Sequence, residues 1–455
     1  MTQPVVSPSR VDPVVRSASE VVGGPAGRRL SSATGFWRAV PVLVVMAIAM
    51  IGLAGVQKQH CRAQGWSTPD QFWHACYSDI AVLYGSSALG GPDRPGLTEA
   101  VGQGGLGQPP LASAAMWLVS ALVPGDTTSP ERRFFDFSAL LLAVALAVGV
   151  MAVAVAAGRR RWDAAHLAVS PVLVTAGLVS YELLAVALVG AALLAWKRER
   201  WLVSGVLLGL AVAAAPATAG VGVAMLAVAI RAERARSGVI AVAAGLVTWF
   251  GVRIVLLPGV TGGLGAAWRD WKDSAPGYGS TWLIPQLVEA SRPARHHNWL
   301  ADWWFGAGSL APSTATALAL LAIIGVIVMV SMLVLMAPQP PALAPVALVA
   351  VAGFLAASKS LPVQACLLLL PLIALSGMRW RDHLIWATAE LAYFVAVWLY
   401  IGAQSDPNRG LPASFYVCFL LARLAAMGWI GLQAGMAAYG PRPMPAHVAA
   451  HAVAR

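Results

Sequence analysis

The amino-acid sequence predicts an all-α membrane protein, a polytopic bundle of transmembrane helices. Of its 455 residues, 58% are hydrophobic and only 11% are charged, whereas about a quarter of the residues of a soluble domain are charged. The mean hydropathy is +0.70, and apolar runs recur along the whole chain. The net charge of +11 comes from short basic clusters between these runs. That pattern is typical of the positive-inside rule and gives no indication of nucleic-acid binding.

The chain begins with a polar tail and one apolar span. Residues 1–36 are rich in Pro, Ser, Gly and Arg without helical periodicity, and we expect a disordered cytoplasmic tail. The run 37–56 is the first predicted span. A long outer loop follows, about 57–137, interrupted by Gly-Pro and Pro-Pro. Its apolar stretch 111–123 is too short to cross a bilayer easily, so we expect an interfacial helix there.

The rest of the chain predicts a transmembrane domain that extends over 37–438, with about twelve spans in all. The further spans are expected near 138–157, 164–178, 181–196, 201–215, 218–231, 238–257, 313–336, 343–357, 361–376, 384–402 and 414–437. A second outer loop covers about 258–312, and residues 439–455 form a second disordered cytoplasmic tail. This arrangement puts the clusters at 159–161, 197–200, 231–236 and 379–381 inside, together with both termini.

Asp79 lies in the loop after the first span. The run from Phe72 to Pro92 around it is otherwise uncharged and contains only His74 as a further titratable base. Ser and Asp are favoured at helix starts, so one interpretation is that Asp79 caps a helix beginning at Ile80. The other is that partial burial raises the pKa of this carboxylate and suits it to act as a general base. The two interpretations are compatible.

The four cysteines divide by location. Cys61 and Cys76 share the first outer loop, where a disulfide is chemically permitted, whereas Cys366 and Cys418 lie in apolar segments and are expected to pack. Two arginines fall inside predicted spans, Arg253 and Arg423. An intramembrane arginine usually faces a cavity or a partner, and Glu390 is the candidate partner of Arg423.

Several motifs together resemble the GT-C glycosyltransferases, membrane enzymes that use polyprenyl-phosphate sugars at the outer face. The chain is most similar to actinobacterial proteins of glycosyltransferase family eighty-seven, which includes mannosyltransferases. The resembling stretches, in order, are Cys76-Tyr77-Ser78-Asp79-Ile80, Ser180-Tyr181-Glu182-Leu183, Leu207-Leu208-Gly209-Leu210, Lys359 before a Pro-Gln-containing helix start, and Trp380-Arg381-Asp382 with Glu390. Where relatives have Asn-Trp-Asp, this chain has Ser180-Tyr181-Glu182, and Leu361-Pro362-Val363-Gln364 stands at a Ser-Pro-Gln-Tyr run.

The resemblance implies transfer of a hexose, mannose above all, from a polyprenyl-phosphate donor to a cell-envelope glycolipid or glycan acceptor. It implies that Asp79 is the base acting on the acceptor hydroxyl, in an active site on the extracytoplasmic side. The resemblance implies substrate or donor binding by Tyr77, Glu182 and Lys359. Other candidates for substrate or donor binding are the intramembrane Arg253 and the basic cluster of Arg292, Arg295, His296 and His297, which could also meet phosphate.

Each of these assignments has an alternative. Glu182 fits an ordinary solvated turn, Lys359 a lysine that extends from a helix end to the interface, and the two adjacent histidines a polar surface. The histidines lack a zinc-ligand spacing, so no metal ligands are assigned, although a divalent metal remains compatible with the chemistry. For the whole chain, the alternatives are a transporter or flippase of a lipid-linked sugar and an inactive relative that acts as an assembly partner.

Overall fold

The protein is described here by a computed structural model, over residues 12–15, 17–18, 36–91, 94–102, 106–124, 128–256, 263–291 and 309–440. Within these ranges all regular secondary structure is helical. The two predicted tails fall almost entirely outside the described residues.

The first half of the chain alternates long helices with short ones. Its α-helices are α1 (Phe36–Gln57), α2 (Gln59–Gln64), α3 (Asp70–Trp73), α4 (Asp79–Ser86), α5 (Leu97–Val101), α6 (Pro110–Ser120), α7 (Pro130–Ala157), α8 (Ala165–Ala168), α9 (Val172–Ala176), α10 (Glu182–Lys197), α11 (Trp201–Ala214), α12 (Ala219–Arg231) and α13 (Ala235–Leu256). Short 3-10 helices cover Ala88–Gly90, Gly158–Ala164 and Pro216–Thr218.

The second half continues in the same way. Its α-helices are α14 (Gly263–Asp273), α15 (Ile284–Ala290), α16 (Pro312–Met336), α17 (Leu343–Ala357), α18 (Leu370–Ser376), α19 (Trp380–Ala403) and α20 (Ala413–Tyr439). Two further 3-10 helices cover Thr281–Leu283 and Val363–Leu369.

Among the described residues, six helices are long and apolar enough to cross a bilayer, namely α1, α7, α13, α16, α19 and α20. The prediction of about twelve spans is therefore not confirmed, although an all-helical, multi-pass membrane protein is. Proline explains part of the difference. The predicted span 164–178 is divided between α8 and α9 at Pro171, and the predicted span 361–376 begins as a 3-10 helix after Pro362. Proline has no amide hydrogen to continue the helical ladder.

Small residues allow α11 and α13 to pack closely. Gly205 and Gly209, four positions apart on α11, face Ala241 and Gly245 on α13. A Cβ atom at either α11 glycine would clash with a backbone carbonyl oxygen of α13. Such small-residue spacing is a usual way for apolar helices to approach each other in a membrane.

The basic clusters meet at one end of the bundle. Arg160, Lys197 and Arg234 line one cavity, and Arg160 also lies against Gly377, which ends α18. α7 ends at this basic end, next to Arg160. Its first turns lie at the opposite end of the bundle, where Asp136 of α7 pairs with Arg62 of α2 at 2.7 Å. The bundle thus has one basic end, and the loop after α1 lies at the other.

A disulfide between Cys61 and Cys76 lies at that opposite end, and the Cα atoms of the two cysteines are 5.8 Å apart. The bond joins α2 to the turn after α3, so the segment between α1 and α4 is folded back on itself. The predicted pairing of these two cysteines is confirmed.

Candidate functional site

The start of α4 is attached to the segment that precedes α10. The Ser78 hydroxyl donates to the Leu178 carbonyl oxygen at 2.7 Å, and the Ile80 amide donates to the Val179 carbonyl oxygen at 3.4 Å. Ser78 is fully buried and has the extended backbone of a helix N-cap. These contacts bring together two carboxylates that are far apart in sequence, Asp79 and Glu182.

Asp79 is the first residue of α4 and does not cap it. The N-cap is Ser78, and the described contacts of the Asp79 carboxylate are to side chains. Its Oδ1 accepts a hydrogen bond from the Tyr77 hydroxyl at 2.7 Å, and its Oδ2 accepts one from Gln364 Nε2 at 3.2 Å. The interpretation of Asp79 as a side-chain cap is therefore wrong. The carboxylate still gains from its place at the positive end of a helix.

Asp79 is only partly buried, and its surroundings shift its pKa in two opposite directions. Removal from water raises the pKa of Asp79, while the Tyr77 hydrogen bond, the charge of Lys58 and the Gln364 hydrogen bond act in the opposite direction. The net pKa lies above the ordinary aspartate value, so this carboxylate is a stronger base than an exposed one.

Lys58 is the cation nearest to this cluster, one residue after α1. It is fully buried, and its ammonium donates to the Tyr77 carbonyl oxygen at 2.8 Å and lies 4.9 Å from the centre of the Phe394 ring. Burial lowers the pKa of Lys58 to about 7, against the raising effect of Asp79. The Tyr77 ring is fixed in turn by Trp398, with ring centres 4.7 Å apart.

Glu182, the first residue of α10, lies within interaction range of the Asp79 charge, of Ser180 and of Gln364. Its Oε2 atom is buried and has no hydrogen-bond partner among the described residues. The Ser180 hydroxyl, two residues earlier, is 3.2 Å from Gln108 Oε1. Two half-buried carboxylates thus flank the buried amide of Gln364, and one of their oxygens, Glu182 Oε2, is buried without a partner among the described residues.

Gln364 reaches this cluster because Arg423 holds the backbone just before it. The Arg423 guanidinium donates to the carbonyl oxygens of Leu361 and Pro362, at 2.6 and 3.0 Å. It also donates to Glu390 Oε2 at 2.8 Å, which confirms the predicted ion pair. Both charged side chains are buried, at 0% and 4% exposure, so this pair is part of the bundle interior.

The hydrogen bonds of the Lys359 ammonium are to residues outside this cluster. It is buried, and its ammonium donates to the carbonyl oxygens of Trp271 and Lys272, at 2.8 and 3.1 Å, and to the Thr316 hydroxyl, at 2.9 Å. These three partners occupy its three donors. The lysine joins α14 to α16 and to the segment after α17, so a role on a donor phosphate would require it to leave these partners.

Of the other predicted site residues, only Arg253 is among the described residues, and its described contact is not to the Asp79 cluster. Arg253, near the end of α13, lies over the ring of Trp249 on its own helix, 5.4 Å from the ring centre. The four residues of the predicted basic cluster fall outside the described residues: Arg292, Arg295, His296 and His297.

Two members of the cluster were not assigned roles from the sequence, Lys58 and Gln364. A lysine directly after an apolar span resembles any interfacial lysine, and only its burial distinguishes it. Gln364 had a weak signal, because it follows Pro362 within a motif that the resemblance already contained. Neither contact is local in sequence, so periodicity could not predict it.

Comparison of the chain with models of known protein families, with curated proteins and with solved structures found no match.

Proposed function

We propose that the protein transfers a hexose, mannose above all, from a polyprenyl-phosphate donor to a cell-envelope glycolipid or glycan, with Asp79 as the general base. The observation that carries this proposal is the meeting of Asp79, Glu182 and Gln364 from three separate elements. Buried or half-buried carboxylates that are near each other and incompletely paired are costly, and they cluster at functional sites.

In the proposed reaction, the acceptor hydroxyl oxygen bonds to the anomeric carbon of the donor sugar. The bond from that carbon to the phosphate oxygen breaks, and the polyprenyl phosphate leaves with the electron pair. The hydroxyl proton passes to the Asp79 carboxylate. A base with a pKa above that of an ordinary aspartate favours this transfer, because general-base efficiency rises as the pKa approaches the working pH.

The remaining groups of the cluster suit supporting roles. The Tyr77 hydroxyl and the Gln364 amide orient the Asp79 carboxylate through one hydrogen bond to each oxygen. The unpaired Oε2 of Glu182 is suited to accept a hydrogen bond from a sugar hydroxyl. Lys58, when protonated, supplies a positive charge near the carboxylate without a direct hydrogen bond to it.

The proposal also fixes an orientation in the membrane. The cluster and the Cys61–Cys76 disulfide are at the end of the bundle opposite to the basic clusters. Because basic loops favour the cytoplasmic side and disulfides form in oxidising compartments, we place this end outside and both termini inside.

The test is transfer of labelled sugar from a panel of polyprenyl-phosphate sugars by the purified protein in proteoliposomes with envelope lipid acceptors. Wild-type protein, Asp79→Asn and the control Asp273→Asn, which alters an exposed aspartate on α14, are compared. We expect product with at least one donor, loss of product with Asp79→Asn, and full product with Asp273→Asn.

Two other outcomes identify the alternatives. Movement of a labelled lipid-linked sugar across the bilayer without a new glycosidic bond would make the protein a transporter or flippase. Absence of both activities would leave an assembly partner, and the proposal would then be wrong.

A further inference from the structure

A second cluster of polar side chains lies beside the disulfide, at the same end of the bundle. It consists of His60 on α2, Asp70 at the start of α3, and His74 directly after α3. His60 Nε2 is 2.7 Å from Asp70 Oδ2, and His74 Nδ1 is 3.1 Å from Asp70 Oδ1. The same His74 nitrogen is also 3.1 Å from the Asp70 carbonyl oxygen. One carboxylate is therefore held between two imidazoles.

The three side chains offer one ligand atom each, and these atoms lie within 4.8 Å of one another. In a tetrahedral zinc site the bonds are about 2.0–2.2 Å, which sets neighbouring ligand atoms about 3.3–3.6 Å apart. To admit an ion, the close His60–Asp70 contact has to lengthen by about 0.6–0.9 Å, and a separation at the 4.8 Å limit has to shorten by about 1.2–1.5 Å. Side-chain rotations of partly exposed residues supply such movements without a change of backbone.

The two imidazoles lie close enough to bind one ion after one ring turns, because the in-plane lone pairs of stacked rings do not point at one position. The imidazoles of His60 and His74 are stacked, with centres 3.6 Å apart and planes 16° from parallel. A single divalent ion bound to both ring nitrogens would also compensate the charge of the Asp70 carboxylate.

The disulfide holds these ligands in place before an ion arrives. His60 directly precedes Cys61, His74 comes two residues before Cys76, and the two cysteines are bonded to each other. Pre-organised ligands lose less conformational freedom on binding. The side chains remain 35–41% exposed, so the site is open to solvent. His74 also lines a cavity of about 310 Å³ together with Trp73 and Arg409.

We propose that His60, Asp70 and His74 form a binding site for one divalent transition-metal ion, with zinc as the best match. Two imidazoles and a carboxylate are a usual ligand set for such ions, whereas calcium and magnesium prefer oxygen ligands alone. With three protein ligands, a bound ion would keep a fourth position for water or another ligand. The site is independent of the proposed glycosyl transfer.

The test uses full-length protein purified in detergent without a polyhistidine tag and treated with chelator. Titration calorimetry with Zn²⁺ is expected to give one ion per chain. His60→Ala and His74→Ala should each weaken binding by more than about tenfold, since loss of a ligand costs at least as much as loss of its supporting contacts. The control is the double variant His296→Ala with His297→Ala, which removes the other pair of histidines in the outer loops and should bind as the wild type does.

A measurement on the wild-type protein does not depend on how the variants fold. Electron paramagnetic resonance of the first equivalent of Cu²⁺ should show coupling to two imidazole nitrogens, and excess Zn²⁺ should displace it. Mass analysis of each non-reduced variant checks that the Cys61–Cys76 bond has formed. Zinc binding that persists unchanged in both single variants, or a copper spectrum without nitrogen coupling, would overturn the proposal.

Discussion

Replacement of Arg423 by methionine tests the interior of the bundle and the support of Gln364 together. The Arg423 guanidinium has a carboxylate partner, Glu390, and two carbonyl partners, Leu361 and Pro362. Methionine replaces the aliphatic part of the arginine side chain but has no hydrogen-bond donor. Arg423→Met therefore leaves an unpaired buried carboxylate and two carbonyl oxygens without this donor.

The expected loss in free energy of unfolding is about 3–5 kcal/mol, the usual cost of breaking a buried ion pair by removing one partner. The double variant Arg423→Met with Glu390→Leu removes both charges and should be more stable than Arg423→Met alone. We expect the two single effects to exceed the double effect by about 1–3 kcal/mol, which is the coupling typical of contacting residues.

Unfolding by sodium dodecyl sulfate in mixed micelles, followed by tryptophan fluorescence, measures these differences. The control Arg236→Met changes an exposed arginine near the start of α13 and should stay within about 0.5 kcal/mol of the wild type. A loss below about 1 kcal/mol for Arg423→Met, or additive effects of Arg423→Met and Glu390→Leu, would refute the reasoning.

Three further predictions concern single side chains. Asp79→Asn is nearly isosteric and should lower the rate of sugar transfer about a hundredfold to ten-thousandfold, as for loss of a general base, with an unchanged unfolding midpoint; near-normal transfer would remove Asp79 from the mechanism. Tyr77→Phe removes a hydrogen bond that lowers the pKa of Asp79, so the pH at which the rate rises should move upward, and a downward or absent shift in the pH–rate profile would contradict this. Lys359→Met should lower the free energy of unfolding by about 1–3 kcal/mol because three oxygens lose their donor. Unchanged stability together with a higher KM for the donor would instead restore the role on phosphate.

The contacts that the sequence predicted correctly are constrained by the membrane itself. Cys61 and Cys76 lie 15 residues apart in the segment after α1, so few other partners are within reach. Arg423 and Glu390 lie on consecutive long helices, and a charge within a span needs a partner nearby. In both cases few partners were possible, and the type of side chain, a thiol for a thiol and a carboxylate for an arginine, identified the partner.

The number of spans was not predictable in the same way. Hydropathy registers where a chain is apolar, but a proline can interrupt the helix without changing that signal, as Pro171 does between α8 and α9. Hydropathy also misses polar turns that continue a helix. α7 begins at Pro130, well before its apolar part, because Glu131 and the two arginines after it are helical.

The candidate site shows a third case, in which one residue was identified and its surroundings were not. The isolation of Asp79 among uncharged residues singled it out, but its contact with Gln364 joins positions 285 residues apart. Such a contact depends on how irregular segments pack, and no local pattern encodes it. The histidines of the proposed metal site are likewise separated by a loop whose path the disulfide determines.

The energetics of the carboxylate pair argue that this site is functional. Two nearby carboxylates raise each other's pKa, and an unpaired oxygen out of water loses its hydration without compensation. Here the Asp79 charge acts on Glu182, and Glu182 Oε2 lacks a hydrogen-bond partner among the described residues. A bundle selected only for stability would gain from an apolar or amide side chain at position 182. Two acids at the starts of two helices, one of them with an oxygen that has no hydrogen-bond partner among the described residues, form the arrangement expected where the second acid binds a polar ligand.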